Sequence, residues 1–182
     1  MLLGPDDPLP GRPQRILVNG ASGGGKTTFA QALALQLDLP HTELDALFHG
    51  PGWTQRESFL TEVQALADSP AWITEWQYGD ARPMLLARCD LVVWLDHPRS
   101  RVMRRVVRRT VLRRLRREEL WNGNQEGPFR HFFTDPEHIV RWAWSSYPRV
   151  AERAAEVLRD RPEIPVVRLR DDREIARWRE RL

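Results

Sequence analysis

Eight consecutive residues, Gly20-Ala21-Ser22-Gly23-Gly24-Gly25-Lys26-Thr27, match the pattern G-x-x-x-x-G-K-[ST] at every fixed position. Glycines at this spacing let the backbone curl so that successive N–H groups point inward at phosphate oxygens. A helix starting at the end of the loop adds the partial positive charge of its N-terminus to the same place. Lys26 then supplies a point charge to the β- and γ-phosphates of a nucleoside triphosphate, and the Thr27 hydroxyl a ligand to magnesium. Gly20, Ser22, Gly23, Gly24, Gly25, Lys26, Thr27 and Thr28 are therefore the candidate nucleotide-binding residues. The bland alternative is a glycine turn with a solvated lysine. An apolar run before the loop and a helical pattern after it argue against that. Lys26 is also the only lysine among 28 basic residues, so the one ammonium stands inside the glycine loop.

The elements that must position this loop follow from periodicity. Residues 1–14 carry Pro5, Pro8, Pro10 and Pro13 and predict a mobile tail ahead of a single domain over 15–182. Short apolar runs predict strands at Ile16–Val18, His41–Leu44, Trp72–Thr74, Leu91–Leu95 and Pro165–Leu169. Helical spacing alternates with them: Thr27–Leu37, Glu57–Ala67, Pro83–Arg88, Arg99–Glu119, 137–145, 148–159 and Asp172–Arg181, with a loop over 121–136. Continuous apolar strands alternating with helices imply an α/β domain, its parallel sheet covered on both faces. Ligands of such sheets sit beyond the carboxyl ends of the strands, where Asp45, Glu75 and Asp96 fall.

Composition narrows the function classes. At 41% hydrophobic and 29% charged, 182 residues fit one soluble globular domain. A net charge of +3 is too weak to argue for nucleic acid as a partner. Cys89 is the only cysteine, so no internal disulfide can form and a cytoplasmic location is expected. The opening MLLGPDDPLP lacks a basic n-region, and no run reaches the ~20 apolar residues of a membrane span. The histidines show no metal-ligand spacing.

Beyond the loop, the chain resembles the adenylate-kinase-like P-loop kinases of the DNA topology modulation protein type over roughly residues 15–180. The resemblance is carried by NGASGGGKTT, by ELDALFHGPGW (Glu43–Trp53), by WITEWQY (Trp72–Tyr78), by DLVVWLDHPR (Asp90–Arg99) and by the arginine-rich helix that follows. It implies a nucleoside/nucleotide-kinase-like P-loop fold with a five-stranded parallel sheet in order 2-3-1-4-5 and a helical lid over about 105–136. ELWNGNQE (Glu119–Glu126) and the aromatics Phe129, Phe132 and Phe133 look like that lid. The chain departs from the family where Trp-Ile-x-Asp-Gly-Asn-Tyr becomes Trp72-Ile73-Thr74-Glu75-Trp76-Gln77-Tyr78. Glu75 can stand in for the aspartate. Trp76 in place of glycine reshapes the acceptor pocket or offers a ring for stacking.

The resemblance also suggests roles. Asp45 is where kinases of this fold contact the acceptor, and it becomes the candidate acceptor ligand and base; its structural alternative is a helix N-cap. Leu91–Asp96 is the better formal Walker B string, yet kinases of this fold draw the magnesium-side carboxylate from strand three. That makes Glu75 the choice and Asp96 a cap before the arginine helix. Arg105 and Arg109 match the family's helix-to-lid arginines and sit one turn apart, suited to clamping phosphates. Val102, Met103, Val106, Val107, Val111 and Leu115 form the helix's apolar set, with the other arginines as a solvated face. Trp76 and Tyr78 are candidate acceptor contacts; Arg170, and with it Arg168, could border the nucleobase; Trp142 and Trp144 are expected to pack. The expected activity is transfer of the γ-phosphoryl of magnesium-bound ATP or GTP to a small nucleoside-, nucleotide- or nucleoside-antibiotic-like acceptor. A nucleic-acid-associated NTPase using the arginine helix, or a slow nucleotide-binding regulator, are the alternatives.

Overall fold

Ile16, Leu17 and Val18 are wholly buried, and the strand they build lies mid-sheet because it has apolar side chains on both faces. A computed structural model describes residues 1–116 and 139–182. In it β2 (Arg15–Gly20) pairs in parallel with β4 (Trp72–Glu75) on one side and β5 (Leu91–Leu95) on the other. β3 (His41–Thr42) continues the sheet beyond β4, and β6 (Val166–Leu169) beyond β5. The five expected strands thus keep their expected order among themselves.

The sheet nevertheless has six strands, not five, in order β1-β6-β5-β2-β4-β3. The extra one is β1, Leu2–Leu3, drawn from the segment expected to be a tail. Leu2 and Leu3 register with Val166 and Val167, Leu3 is buried, and Val166 N–H donates to Met1 O at 2.8 Å. The proline count hid this. Two leucines are too short a run to read as a strand, and only the open edge of β6 gives them a partner.

Helices cover both faces. α1 (Lys26–Leu37) presents Phe29, Ala30, Leu33 and Leu37 to Ile16 and Val18, joined there by Trp178 of the last helix, α8 (Asp172–Arg179). The opposite face, with Leu17 and Val92, packs against α3 (Phe59–Asp68), α4 (Ala81–Leu86), α5 (Arg99–Arg116), α6 (Ile139–Ser146) and α7 (Pro148–Asp160). Alternating side chains of one central strand therefore seed two cores.

Two expected elements differ. The second strand stops at Thr42, and Leu44–Phe48 is a short helix, α2, because Leu44 buries completely as the chain turns away from the sheet. Asp45 consequently lies in the first turn of α2 rather than at a strand end. On α5 the core-facing stripe is Val102, Val106 and Thr110, four residues apart, whereas Val107 and Leu115 are exposed. The expected lid residues 121–126, Phe129, Phe132 and Phe133, and the end of the arginine helix at Glu119, lie outside the described residues. No described helix is long and apolar enough to cross a membrane.

Candidate active site

The register of the central strands sets the site. Val18 stands opposite Glu75 and Gly20 opposite Leu95, so the glycine loop leaves β2 between the ends of β4 and β5. Gly23 and Gly25 hold φ of +76° and +89°, a left-handed conformation that suits glycine. A Cβ on Gly23 would also stand 2.2 Å from Val106 Cγ2, so α5 closes directly over the loop. Gly25 is the N-cap of α1 and offers no side-chain cap, leaving the first helical N–H groups facing the loop. Gly20, Ser22, Gly24, Thr27 and the exposed Thr28 lie where the sequence reading put them, on this loop and the first turn of α1.

Lys26 is half-buried and donates to Ala21 O at 3.3 Å. Burial pushes its ammonium pKa below the ordinary lysine value, Asp45 and Glu75 pull it back up, and Arg109 and Arg153 push it down again. These five groups therefore share one electrostatic neighbourhood.

Glu75 is 1% exposed, and both of its carboxylate oxygens are buried without a well-formed hydrogen bond. His41 Nε2 stands 3.4 Å from Oε1. Burial alone would raise the Glu75 pKa; the approach of His41 and of the Thr27 hydroxyl outweighs it and holds the carboxyl below the ordinary glutamate value. A buried carboxylate kept ionised beside Thr27 and Lys26, with unused lone pairs, suits a hydrated divalent cation. Thr27 and Glu75 are the residues that would hold magnesium here. Asp96 instead accepts from Arg168 Nε at 2.8 Å and Nη2 at 2.5 Å, so the helix-cap role expected for it is replaced by an ion pair.

Asp45 is likewise not an N-cap; that position is Glu43. Its Oδ1 accepts from Gln77 Nε2 at 2.7 Å and from the Tyr78 hydroxyl at 2.5 Å. Two donors on one oxygen fix the carboxylate plane and leave Oδ2 for an acceptor. Tyr78 adopts φ +60°, a strained conformation for a side chain of its size, and packs face to face on Phe48 at 4.1 Å. Burial, then the Asp45 charge, pushes its phenol pKa up, so the hydroxyl remains a donor. Its oxygen also lies 3.3 Å from His49 Nε2, an imidazole whose pKa burial lowers.

Trp76 corrects the sequence reading. It is 4% exposed, packed in the core with its indole N–H donating to Arg82 O at 3.3 Å, and shows no ring face for stacking. Its bulk fills the interior and anchors the start of α4. Trp142 and Trp144, expected to pack, are exposed; the Arg99 guanidinium lies 3.4 Å above the Trp144 ring.

Of the arginines, Arg105 reaches the loop: its Nη1 is 3.5 Å from where a Cβ on Gly25 would stand. Arg109, one turn on, acts on Lys26. Arg105 Nη2 is held 3.6 Å from Asp172 Oδ1, and Arg101 pairs with the same carboxylate. The Arg168 side chain is committed to Asp96 and lies 4.6 Å over the Trp94 ring; exposed Arg170 borders the same strand end. Gln77, His41, Asp172, Arg82 and Arg153 were not legible as site residues in the sequence. Only Gln77 carried a signal, as part of the segment that departs from the resembled family.

No protein-family model and no curated protein matches the chain. Solved structures do. A shikimate kinase from Bacteroides thetaiotaomicron has a TM-score of 0.51 at 17% identity, over 93% of this chain and 95% of that one. A gluconokinase from Sinorhizobium meliloti 1021 has 0.41 at 21% identity, over 79% and 97%. A shikimate kinase from Acinetobacter baumannii, in complex with shikimate, has 0.39 at 18%, over 81% and 94%. The first likeness is one of architecture, and what it shows is that this chain has the shikimate-kinase-like P-loop α/β fold.

Proposed function

We propose that the protein is a small-molecule kinase that transfers the γ-phosphoryl of ATP or GTP, with magnesium, to an acceptor held against Asp45. The observation that supports this best is that Asp45 and Glu75 act on the same Lys26 ammonium, so an acceptor carboxylate and a metal-side carboxylate flank one phosphate loop. In this reading the loop N–H groups and Lys26 hold the β- and γ-phosphates. Bound magnesium would neutralise phosphate charge. Asp45 Oδ2 orients an acceptor hydroxyl and takes its proton as that oxygen bonds to the γ-phosphorus and the bond to the β-phosphate oxygen breaks. An acceptor that is itself a phosphate needs only the orientation. Arg105 and Arg109 cover the transferred group from α5. The shared fold agrees with phosphoryl transfer.

The test is incubation with Mg·ATP or Mg·GTP and a panel of nucleosides, nucleotides, nucleoside antibiotics and small hydroxy acids, read by mass spectrometry for a product heavier by one phosphoryl group. Slow hydrolysis alone and faster turnover with one acceptor class is the expected result. If no acceptor is phosphorylated while duplex DNA stimulates hydrolysis, the protein is instead a nucleic-acid-associated NTPase.

A further inference from the structure

Three arginines gather beside the candidate site, and none of them forms a salt bridge among the described residues. Arg82 opens α4: its N–H donates to Tyr78 O at 3.1 Å, and its Nη2 lies 3.9 Å from where a Cβ on Gly79 would stand. Arg149 and Arg153 lie one turn apart on α7, whose first turn is tied to the end of β2 by Asn19 Nδ2 donating to Val150 O at 3.0 Å. The cluster thus sits by the ends of β2 and β4, on the side where Tyr78 holds Asp45, while Arg105 and Arg109 approach from α5.

Several other arginines of this chain find carboxylates: Arg56 pairs with Glu62, Arg88 with Asp68, Arg168 with Asp96. Among the described residues, no such partner lies against Arg82, Arg149 or Arg153. Arg153 Nε is moreover buried with no hydrogen-bond partner among them. Burial lowers the Arg153 pKa first, the Arg82 and Arg149 charges lower it further, and Glu152 and Glu156 on its own helix return only part. Partial burial and two like charges disfavour the charged form of Arg153, a cost that charge-assisted hydrogen bonds to an anion would offset. Arg153 also acts on Lys26, so the cluster borders the point of transfer.

We propose that Arg82, Arg149 and Arg153 form an anion subsite of the acceptor pocket, so that the acceptor is a carboxylate- or phosphate-bearing molecule. This rests on the kinase reading. Two guanidinium forks one helical turn apart suit planar, multidentate recognition of either anion.

The experiment is titration calorimetry on the full chain saturated with magnesium and a non-hydrolysable ATP analogue, which fills the phosphate loop. The probes are matched pairs, adenosine monophosphate against adenosine and glycerate against glycerol, with inorganic sulfate as a competitor. The anionic member of at least one pair should bind at least about tenfold more tightly than its neutral partner and be displaced by sulfate. The pair that responds tells phosphate from carboxylate. Arg149→Gln and Arg153→Gln should each weaken the anion on the order of tenfold to a hundredfold, and Arg149→Gln should change affinity for the ATP analogue by less than about twofold. Exposed Arg149 is the safer variant for folding, checked by its thermal transition. Neutral members that bind as well as anions, no binding of any anion, or variants that leave anion affinity unchanged would each overturn the proposal. A loss confined to the ATP analogue would also overturn it, because the cluster would then serve the donor. The kinase reading fails by a different readout: an anion binds the loaded protein, yet no phosphorylated product forms from any acceptor.

Discussion

Lys26 is the residue on which the candidate chemistry converges, and its environment makes its charge conditional. Because burial depresses its pKa, affinity for a nucleoside triphosphate should fall as pH rises, beginning below the ordinary lysine value of 10.5. Lys26→Ala should lower turnover by roughly a hundredfold to a thousandfold or more and flatten that alkaline limb, measured as product formed per unit time. Asp45→Asn keeps an oxygen for Gln77 and Tyr78 but loses the base. It should retain nucleotide affinity while turnover falls by about a hundredfold or more, and wild-type turnover would remove Asp45 from the site. Glu75 gives a linkage prediction. Its folded-state pKa lies below the ordinary 4.5, so ionisation favours the folded protein, fully above that value, and the contribution is lost as pH falls through the lower folded-state pKa. The stability of the wild type relative to Glu75→Gln should therefore decline as pH is lowered from neutrality to below 4.5, read from urea midpoints. A difference that grows on acidification would contradict the assigned cause.

At the scale of elements, the glycine loop and α5 form one unit. Val106 fills the space over Gly23, so the loop's shape depends on a helix more than seventy residues away in sequence as well as on its own glycines. Gly23→Ala adds a Cβ at φ +76° and 2.2 Å from Val106 Cγ2, and should cost about 1–3 kcal/mol of stability together with most nucleotide binding. Trimming the opposing side chain in Gly23→Ala/Val106→Ala should restore binding in part, since the clash goes and the backbone strain stays; titration with the ATP analogue checks both. Asp172 adds a second link, from α8 to Arg101 and Arg105 on α5, which keeps Arg105 beside the loop. α2 and the turn after β4 meet in the same way. The Asp45–Gln77–Tyr78 contacts couple two segments that share no strand register.

For the molecule as a whole, the edge strand is the least expected contribution to stability. Leu3 is buried against β6, and the N-terminal ammonium donates to Pro162 O at 2.9 Å. Removing Met1–Gly4 should cost about 1.5–3 kcal/mol, the value of one buried leucine, and leave nucleotide affinity unchanged, because two strands, β6 and β5, separate β1 from the strand that carries the phosphate loop. Chemical denaturation and nucleotide titration on the shortened chain test the two halves of that statement. Loss of affinity would mean that the far edge of the sheet reaches the site.

Much of this protein was legible in its residues because the signals are local. The glycine loop states its own geometry, and Ile16–Val18 and Leu91–Leu95 can only be interior strands. Alternation with helices then makes the sheet parallel and points the loop at its carboxyl edge, while the strand order came from the resemblance to a known kinase family. What the residues alone left open is what depends on distant partners. Trp76 looked like a ligand contact and is core, because Arg82 O and the interior claim its two ends. Asp96 completed the better motif string, yet Arg168 of a neighbouring strand takes its charge. Glu75 differs from Asp96 only in what surrounds it, and its unused oxygens beside Thr27 follow from the pairing of β2 with β4. Arg153 was one arginine among many until α7 packed against β2 and brought it beside Lys26. Spacing along the chain determined which groups could do chemistry; burial and the company of remote charges, which exist only in the folded state, decided which of them are poised to do it.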